Sequence, residues 1–286
     1  MSAPAIAPPT AGPRQDTQPL TARKLAAGIA LGLLGVAFLL PFCWIVFAAF
    51  DSQATFAIQL PHFTLQNFAA VFSADNRLAL YNSAYLSLVS TVIATVAAYL
   101  AAYVISRKQV PFTSAMMFAT LFLSGLPINI LVVPLFQMYT KLGWLSSMNA
   151  TAAFLAVTSM PFMIWMLKNS IDDIPRDLEE AAWIEGSSLP RVLLRVVLPM
   201  SLPGICAAAI YGFVTTWGNF LVPMVLDSDP AHQPAPTVVY GFIGAAAVRW
   251  GNIAAYSLVY SLPVLVLYFV MGRITRGNYA TGGAVK

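Results

Sequence analysis

Six long runs without a charged residue constrain the fold of this sequence more than any other feature. The shortest run, residues 150–167, has 18 residues, and a helix needs about 20 apolar residues to cross a bilayer. The chain is 59% hydrophobic and 9% charged, whereas soluble domains are about 25% charged. We therefore predict an all-α integral membrane protein with six transmembrane helices, at residues 25–50, 78–105, 112–139, 150–167, 205–226 and 253–272.

These runs divide the 286-residue chain into three parts. Residues 1–24 are rich in Pro, Ala and Thr and lack periodicity, so they are expected to form a disordered tail. Residues 25–273 would form the six-helix transmembrane domain, with a polar loop at 172–204 between the fourth and fifth helices. Residues 274–286 would form a C-terminal tail.

The basic residues predict the orientation, because cytoplasmic loops of membrane proteins carry an excess of Lys and Arg. With a cytoplasmic N-terminus, twelve basic residues fall on the inner side, namely Arg14, Arg23, Lys24, Arg107, Lys108, Lys168, Arg176, Arg191, Arg195, Arg273, Arg276 and Lys286. Three fall outside, namely Arg77, Lys141 and Arg249. Both termini and the 172–204 loop are therefore predicted to be cytoplasmic, and the net charge of +4 needs no nucleic-acid partner.

The runs carry no group suited to catalysis or ion coupling. All acidic and basic residues lie outside them, whereas ion-coupled transporters normally keep an ionisable residue at mid-membrane; backbone carbonyl sites would escape this argument. No G-x-S-x-G or H-E-x-x-H motif occurs, and no lysine follows a glycine, which excludes a Walker A loop. We predict no catalytic residue, no metal site and no cofactor bound by this chain.

A polar stretch in the second half of the chain, residues 175–204, is here called the acidic segment. Pro175 can begin a helix, and Gly186 is placed to end it in a left-handed conformation. Ser187 or Ser188 would cap a second short helix, which Pro199 would end before the chain re-enters the membrane. Six of the eleven acids lie in or just before this segment, namely Asp172, Asp173, Asp177, Glu179, Glu180 and Glu185.

One face of the first helix combines small and polar residues. Leu178, Ala181, Ala182 and Glu185 have the spacing i, i+3, i+4, i+7, which places them on one stripe. The two alanines would let another backbone approach closely. A solvated connecting helix is the plainer alternative.

The acidic segment resembles the EAA motif of permease subunits of bacterial ABC importers. The resemblance is carried by Glu180-Ala181-Ala182, by Gly186 and by Leu198-Pro199. It extends over nearly the whole chain after residue 25 and is similar to the second permease of maltose-type sugar importers. Further matching residues are Thr64 to Phe68, Asn82-Ser83, Pro134-Leu135, Pro161-Phe162, Trp217 to Phe220, Trp250-Gly251 and residues 283–286. The sequence departs from the family pattern at Glu185, Val239-Tyr240 and Ala280-Thr281.

The resemblance implies a type I ABC importer permease fold, in the bacterial inner membrane, with a coupling helix that docks on a separate cytoplasmic ATPase. ATP and Mg would bind that ATPase. The other implied partners are a second permease subunit, a second ATPase copy, membrane lipid and an external solute-binding protein on the loops at 51–77 and 227–250. The docking residues carried over are Glu180, Ala181, Ala182, Glu185, Gly186, Leu198 and Pro199.

The cargo implied by the resemblance is a sugar or a sugar-like solute. Asn129, Trp217 and Asn219 are the candidates for the solute pathway, because a pyranose takes aromatic stacking and amide hydrogen bonds. The alternative for these three residues is that they serve helix packing. The alternatives for function are an ion-coupled secondary transporter of a neutral solute, and an ABC importer of a polyol or glycerophosphodiester.

Overall fold

The computed structural model describes residues 22–57, 59–108, 111–244 and 248–282, with the backbone alone described at residues 22, 23, 129 and 276–282. Within these ranges the chain is mostly helical, and its only extended pairings are the isolated bridges Asp51–Phe63 and Ile243–Val248. The α-helices are α1 (Ala22–Ala49), α2 (Gln66–Val71), α3 (Ala74–Arg107), α4 (Thr113–Ser124), α5 (Val132–Leu142), α6 (Met148–Asp172), α7 (Asp177–Ile184), α8 (Leu189–Val192), α9 (Leu198–Trp217), α10 (Leu221–Leu226), α11 (Ala235–Gly241) and α12 (Trp250–Gly282).

The chain divides into two compact units, Met1–Ile45 and Val46–Lys286. The described part of the first unit is the greater part of α1. Its large apolar side chains are exposed, with Leu33 and Phe38 each 68% exposed. Such a surface is what a lipid-facing helix presents, since exposed apolar area of this extent is unusual in water.

Five helices in the described residues are long and apolar enough to cross a membrane: Lys24–Ala49, Ala74–Arg107, Met148–Asp172, Leu189–Trp217 and Trp250–Thr275. They correspond to the first, second, fourth, fifth and sixth of the predicted spans. The prediction of an all-α membrane protein is confirmed, and among the described residues the third predicted span is the one that does not form a single helix of this length.

The third apolar run, residues 112–139, forms two shorter helices instead of one. α4 ends at Ser124, a 3₁₀ turn follows at Ile128–Leu131, and α5 begins at Val132. The break falls at Gly125 and Pro127. Proline lacks the N–H that an α-helix needs and disfavours helical backbone at the preceding residue, so hydropathy alone overestimated the length of this helix.

The second unit is built around the close packing of α3, α6 and α9. Ala94, Ala98 and Ala102 repeat every fourth residue of α3 and are fully buried in the core that Met163 of α6 and Ala208 of α9 share. Small residues let helices approach closely in membrane proteins, where interhelical packing replaces the hydrophobic effect.

One glycine shows how close α6 and α9 come. A Cβ atom added at Gly204 would lie 2.3 Å from the Ser170 Cβ. No larger residue fits there without separating the two helices.

The acidic segment differs from its prediction at both helices: α7 begins at Asp177 and not at Pro175, and Pro199 does not end the second short helix. α8 continues through a π-helical turn, Leu193–Val197, directly into α9. The wider π turn makes room for the ring of Pro199, which donates no backbone hydrogen bond, and the Leu198 N–H bonds to the Leu193 carbonyl. The helix that follows Gly186 therefore belongs to the fifth span.

The predicted tails overlap the described residues only in part. α1 begins at Ala22, inside the expected 1–24 tail, and residues 1–21 lie outside the described ranges. α12 continues from Trp250 to Gly282, so most of the expected 274–286 tail extends this helix. Residues 283–286 also lie outside the described ranges.

Candidate functional site

The first helix of the acidic segment is α7, and a hydrogen-bonded turn ends it. The Gly186 N–H bonds to the Trp183 carbonyl at 2.9 Å, and the Ser187 N–H bonds to the Ala182 carbonyl at 3.0 Å. Gly186 has φ +82°, the left-handed value of a Schellman turn. The predicted stop of the helix is confirmed. Ser188 occupies the N-cap of α8, with no hydrogen bond from its side chain to the helix.

One face of α7 is exposed and mixes acidic with apolar side chains. Glu180, Ala181 and Glu185 are exposed, and Ala182 is half-buried. Ile184 is 88% exposed and Trp183 is 46% exposed. Large apolar side chains beside acids, on a short loop helix, are typical of a surface that binds another protein.

The opposite face of α7 is bonded to the end of α3. The Glu179 carboxylate is buried, with its Oε1 2.6 Å from the Arg107 Nε and its Oε2 accepting a hydrogen bond from the Tyr103 hydroxyl at 2.8 Å. The guanidinium of Arg107 also donates to the Ile174 carbonyl at 2.9 Å. Every polar atom of this buried carboxylate therefore has a partner, as burial of a charge requires.

Further bonds join the same two regions. The Ser106 hydroxyl donates to Asp172, and the Arg176 guanidinium donates to the Ser106 carbonyl at 3.0 Å. The Tyr99 hydroxyl donates to the Leu193 carbonyl at 3.2 Å. The acidic segment is thus held to α3 at several points along its length.

Sequence reasoning missed the role of Glu179 and of its partners. It grouped six acids as one polar set, yet Glu179 is buried and Glu180 beside it is exposed. The available signal was periodicity: residues 179 and 182 share one helical face, and Ala182 packs against the α3–α6–α9 core. Arg107, which follows the second apolar run, was used only as one of the basic residues that predict the membrane orientation.

A second candidate site is a cavity of about 410 Å³, here called the hydroxyl cavity. None of the described residues that line it is charged. Its polar lining comes mainly from hydroxyl groups and one amide, and the remainder is apolar. The polar residues that line it are Ser124, Thr158, Ser159, Tyr211, Thr215, Thr216 and Asn219.

Most of these hydroxyls donate their proton to a carbonyl of their own helix. Thr158 bonds to the Leu155 carbonyl at 2.9 Å, and Thr215 bonds to the Tyr211 carbonyl at 2.9 Å. A hydroxyl that donates in this way still has acceptor lone pairs. The cavity wall can therefore accept hydrogen bonds from a solute that carries hydroxyl groups.

The three residues predicted for the solute pathway lie in different environments. Asn219 lines the hydroxyl cavity, and its Oδ1 accepts a hydrogen bond from the Val222 N–H at 3.1 Å. Trp217 is 3% exposed and stacks on Tyr260, with ring centroids 5.0 Å apart. The side chain of Asn129 lies outside the described part of the structure. Of the two side chains that the structure describes, Asn219 is therefore the one placed where a solute could reach it.

The opposite end of α3 binds a loop. The Asn82 side-chain amide donates to the Ala231 and Gln233 carbonyls, at 2.7 and 3.1 Å, and the Ser83 hydroxyl accepts the Ala235 N–H at 2.8 Å. These two polar residues are among those that carry the family resemblance in the sequence. Their role in this structure is to hold the backbone of residues 231–235.

The loop after α1 is organised by Asp51. Its carboxylate accepts hydrogen bonds from the Gln59 side chain and from the Gln53 and His62 N–H groups. These bonds, that of Gln59 foremost, hold the pKa of Asp51 below its usual value. Among the described residues no group of three or more His, Cys, Asp or Glu could hold a metal ion.

The described residues form five helices apolar enough to span a membrane, an uncharged cavity lined mainly by α4, α6 and α9, and a loop helix with an exposed face of acidic and apolar side chains. This combination is what a membrane transport component requires. The chain belongs to the family of binding-protein-dependent transport system inner membrane components, which it matches over residues 90–277. It is therefore a permease subunit of a transport system. The assignment made from the EAA motif is therefore confirmed.

Two relatives cover most of this chain. The sulfoquinovosyl glycerol transport system permease protein SmoH of Agrobacterium fabrum is 32% identical, over 89% of this chain and 92% of the relative. The trehalose/maltose transport system permease protein MalG of Thermococcus litoralis is 28% identical, over 89% of this chain and 94% of the relative.

Solved structures share the fold. A chain of a bacterial ABC transporter that imports the acidic polysaccharide alginate has a TM-score of 0.75 at 17% identity, over 90% of this chain and 99% of that chain. A chain of the MetNI methionine ABC transporter has a TM-score of 0.55 at 19% identity, over 70% of this chain and 94% of that chain. The fold is that of a type I ABC importer permease.

Proposed function

We propose that this chain is the permease subunit of an ATP-driven, binding-protein-dependent importer of a sugar or sugar-like solute. The observation that carries this proposal is the exposed face of α7, which joins Glu180 to the apolar Ile184 next to the Gly186 turn. The sequence has no Walker A loop, so a separate ATPase would supply the energy. The names of its relatives, which include sugar transport systems, support the cargo class.

The docking surface would consist of residues on both sides of the Gly186 turn. Glu180 would pair with a basic residue of the ATPase, while the exposed Ala181 would allow close approach of its backbone. Ala182, also predicted for docking, packs against the core of this chain and would instead seat α7. Leu198 and Pro199 lie where the π turn enters α9, so they would act through the fifth span. Glu185 completes the exposed acidic face.

The excess of Lys and Arg supports a cytoplasmic position for this surface and for both termini of a bacterial inner-membrane protein. A second permease, an ATPase dimer with ATP and Mg, and an external binding protein on the opposite loops would complete the assembly. These partners follow the family to which the chain belongs.

The hydroxyl cavity would form part of the solute pathway. Its lining offers acceptor oxygens and apolar surface without a formal charge among the described residues, which fits the hydroxyl groups and carbon faces of a neutral sugar. A polyol or a glycerophosphodiester presents similar hydroxyl groups and remains the alternative cargo.

Co-purification followed by an ATPase assay tests this function. The chain, expressed with its neighbouring genes, is expected to purify with an ATPase whose activity rises when a binding protein loaded with solute is added. Glu180→Gln is expected to leave the membrane level unchanged and to lower ATPase recovery by about 10-fold or more, since losing one partner of a desolvated charge pair costs about 2–5 kcal/mol.

Asp75→Asn is the matched control, because Asp75 is an exposed acid at the opposite end of α3. It should leave ATPase recovery unchanged. Uptake into vesicles that is driven by an ion gradient, without any ATPase, would instead establish a secondary transporter and reject the proposal.

A further inference from the structure

α3 differs from the other four spanning helices in its stiffness. Its 34 residues contain no proline or glycine. The others contain a proline in their interior, at Pro41, Pro161, Pro203 and Pro263. Sharp kinks in helices occur mostly at proline or at glycine, so α3 is the helix best suited to move as a rigid rod.

Both ends of α3 are bonded to loops. At one end Arg107 and Tyr103 hold the buried carboxylate of Glu179 in the acidic segment. At the other end Asn82 and Ser83 hold the backbone of residues 231–235. Residues 82 and 107 of one helix are about 37 Å apart at about 1.5 Å per residue, so the two attachments lie near opposite faces of a bilayer.

We propose that α3 mechanically couples the two faces of the permease, with Arg107 and Glu179 as its positioning residues on the acidic segment. The inference rests on the proposed function. A displacement of the 231–235 loop would pull on Asn82 and Ser83, and the rod would carry the displacement to Glu179. Because Glu179 and Glu180 are adjacent, most of the displacement at Glu179 would reach the exposed face of α7.

The bonds at Glu179 suit this role better than packing alone would. An ion pair with a second hydrogen bond fixes direction and distance, whereas apolar contacts let surfaces slide. Replacing a buried ion pair by apolar residues often preserves stability, while removing one partner leaves the other charge buried and unpaired. The two roles, stability and coupling, can therefore be separated by mutation.

The test compares Arg107→Met, Glu179→Gln and the double variant Arg107→Met/Glu179→Leu in the purified complex. Three quantities are measured: melting temperature, basal ATPase rate, and the ratio by which solute-loaded binding protein raises that rate. The single variants are expected to melt earlier. The double variant is expected to recover its melting temperature and basal rate yet lose about 5-fold or more of the stimulation ratio, the lower range of typical coupling between two sites.

A purely structural role for the ion pair predicts that the double variant also recovers the stimulation ratio, and that result overturns the inference. Lys168→Met is the matched control, because Lys168 pairs with Asp172 at the same end of the molecule but is more exposed. This variant should keep normal stimulation.

If the double variant does not accumulate in the membrane, Tyr103→Phe is tested instead, because this change removes one hydroxyl and no charge. Its stimulation ratio should fall by about 2-fold or more, as expected for one lost hydrogen bond, and an unchanged ratio rejects the inference. If the wild-type complex itself shows no stimulated hydrolysis, the proposed function fails. If loaded binding protein stimulates ATP hydrolysis equally in the wild type and in the variants, the proposed function stands and only the coupling role of α3 is rejected.

Discussion

The acidic segment and the hydroxyl cavity handle polar groups in opposite ways. In the acidic segment, Glu179 has charged and hydrogen-bonded partners within the protein, and Glu180 faces outward. In the cavity, the described lining carries no charge, and side chains such as Thr158 bond to their own helix. One region fixes its polar groups across helices, whereas the other satisfies them locally.

This difference has consequences for binding. A face that is held by an ion pair and hydrogen bonds presents a single geometry and therefore suits a single protein partner. A wall of locally bonded hydroxyls offers acceptor oxygens in several directions and suits solutes of varied shape.

The largest effect is expected from Gly186→Val, which tests whether the acidic segment needs one geometry. A Cβ atom at Gly186 would meet nothing within 4 Å, so the cost comes from the backbone at φ +82° alone. Left-handed backbone costs an L-residue roughly 1–2 kcal/mol, and more for a β-branched side chain. Recovery of the ATPase should fall about 30-fold, as measured by co-purification at equal membrane levels.

Gly143→Val is the control for backbone strain. Gly143 has φ +68°, ends α5 and also has open space around it. Its replacement should cost similar stability while the ATPase is retained. Equal losses at the two glycines would show that strain, and not the geometry of the docking turn, explains the result.

A structural feature could be predicted from the sequence when the sequence pattern that specifies it is local. Gly186 and the α7 helix were predicted correctly because a left-handed glycine after an amphipathic turn is a property of consecutive residues. The third apolar run was predicted as one span, yet the helix breaks near Pro127, since hydropathy averages over a proline that other helices of this protein tolerate. The prediction that Pro199 ends a helix was wrong for the opposite reason. The π turn before it accommodates this proline, so the helix continues.

The partners of buried polar groups were not predictable in this way. Arg107 and Glu179 are 72 residues apart in sequence, and no local pattern pairs them. Trp217 was chosen for its chemistry, although it lies buried against Tyr260. The hydroxyl cavity draws on α4, α6 and α9, so its composition depends on how those helices pack, and Thr158 and Ser159 looked like ordinary span residues.

A smaller effect is expected from Ile184→Ser, which tests whether the exposed face of α7 is completed by a protein. Ile184 is 88% exposed, so its replacement should not lower the melting temperature of the permease. If the ATPase buries about half of this side chain, the loss is about 1–1.5 kcal/mol, or about 10-fold in affinity. Titration of purified ATPase against the permease in nanodiscs measures it.

Leu60→Ser provides the comparison, because Leu60 is 92% exposed but lies in the loop after α1. ATPase affinity should not change in that variant. An unaltered affinity in Ile184→Ser would mean that the apolar side chain faces solvent in the assembled transporter.

The smallest effect is expected in the hydroxyl cavity, from Thr215→Val. The substitution keeps the shape of the side chain and removes an oxygen that can accept one hydrogen bond from the solute. A single such bond is worth about 0.5–1.5 kcal/mol, so the solute concentration for half-maximal uptake should rise about 3-fold, with ATPase recovery unchanged.

Thr140→Val is the control: Thr140 is exposed and also bonds to a carbonyl of its own helix, at Phe136, but does not line the cavity. Equal uptake in the two variants would place the solute pathway elsewhere, whereas a change confined to Thr215→Val would show that local hydroxyls, and not fixed charges, recognise the cargo.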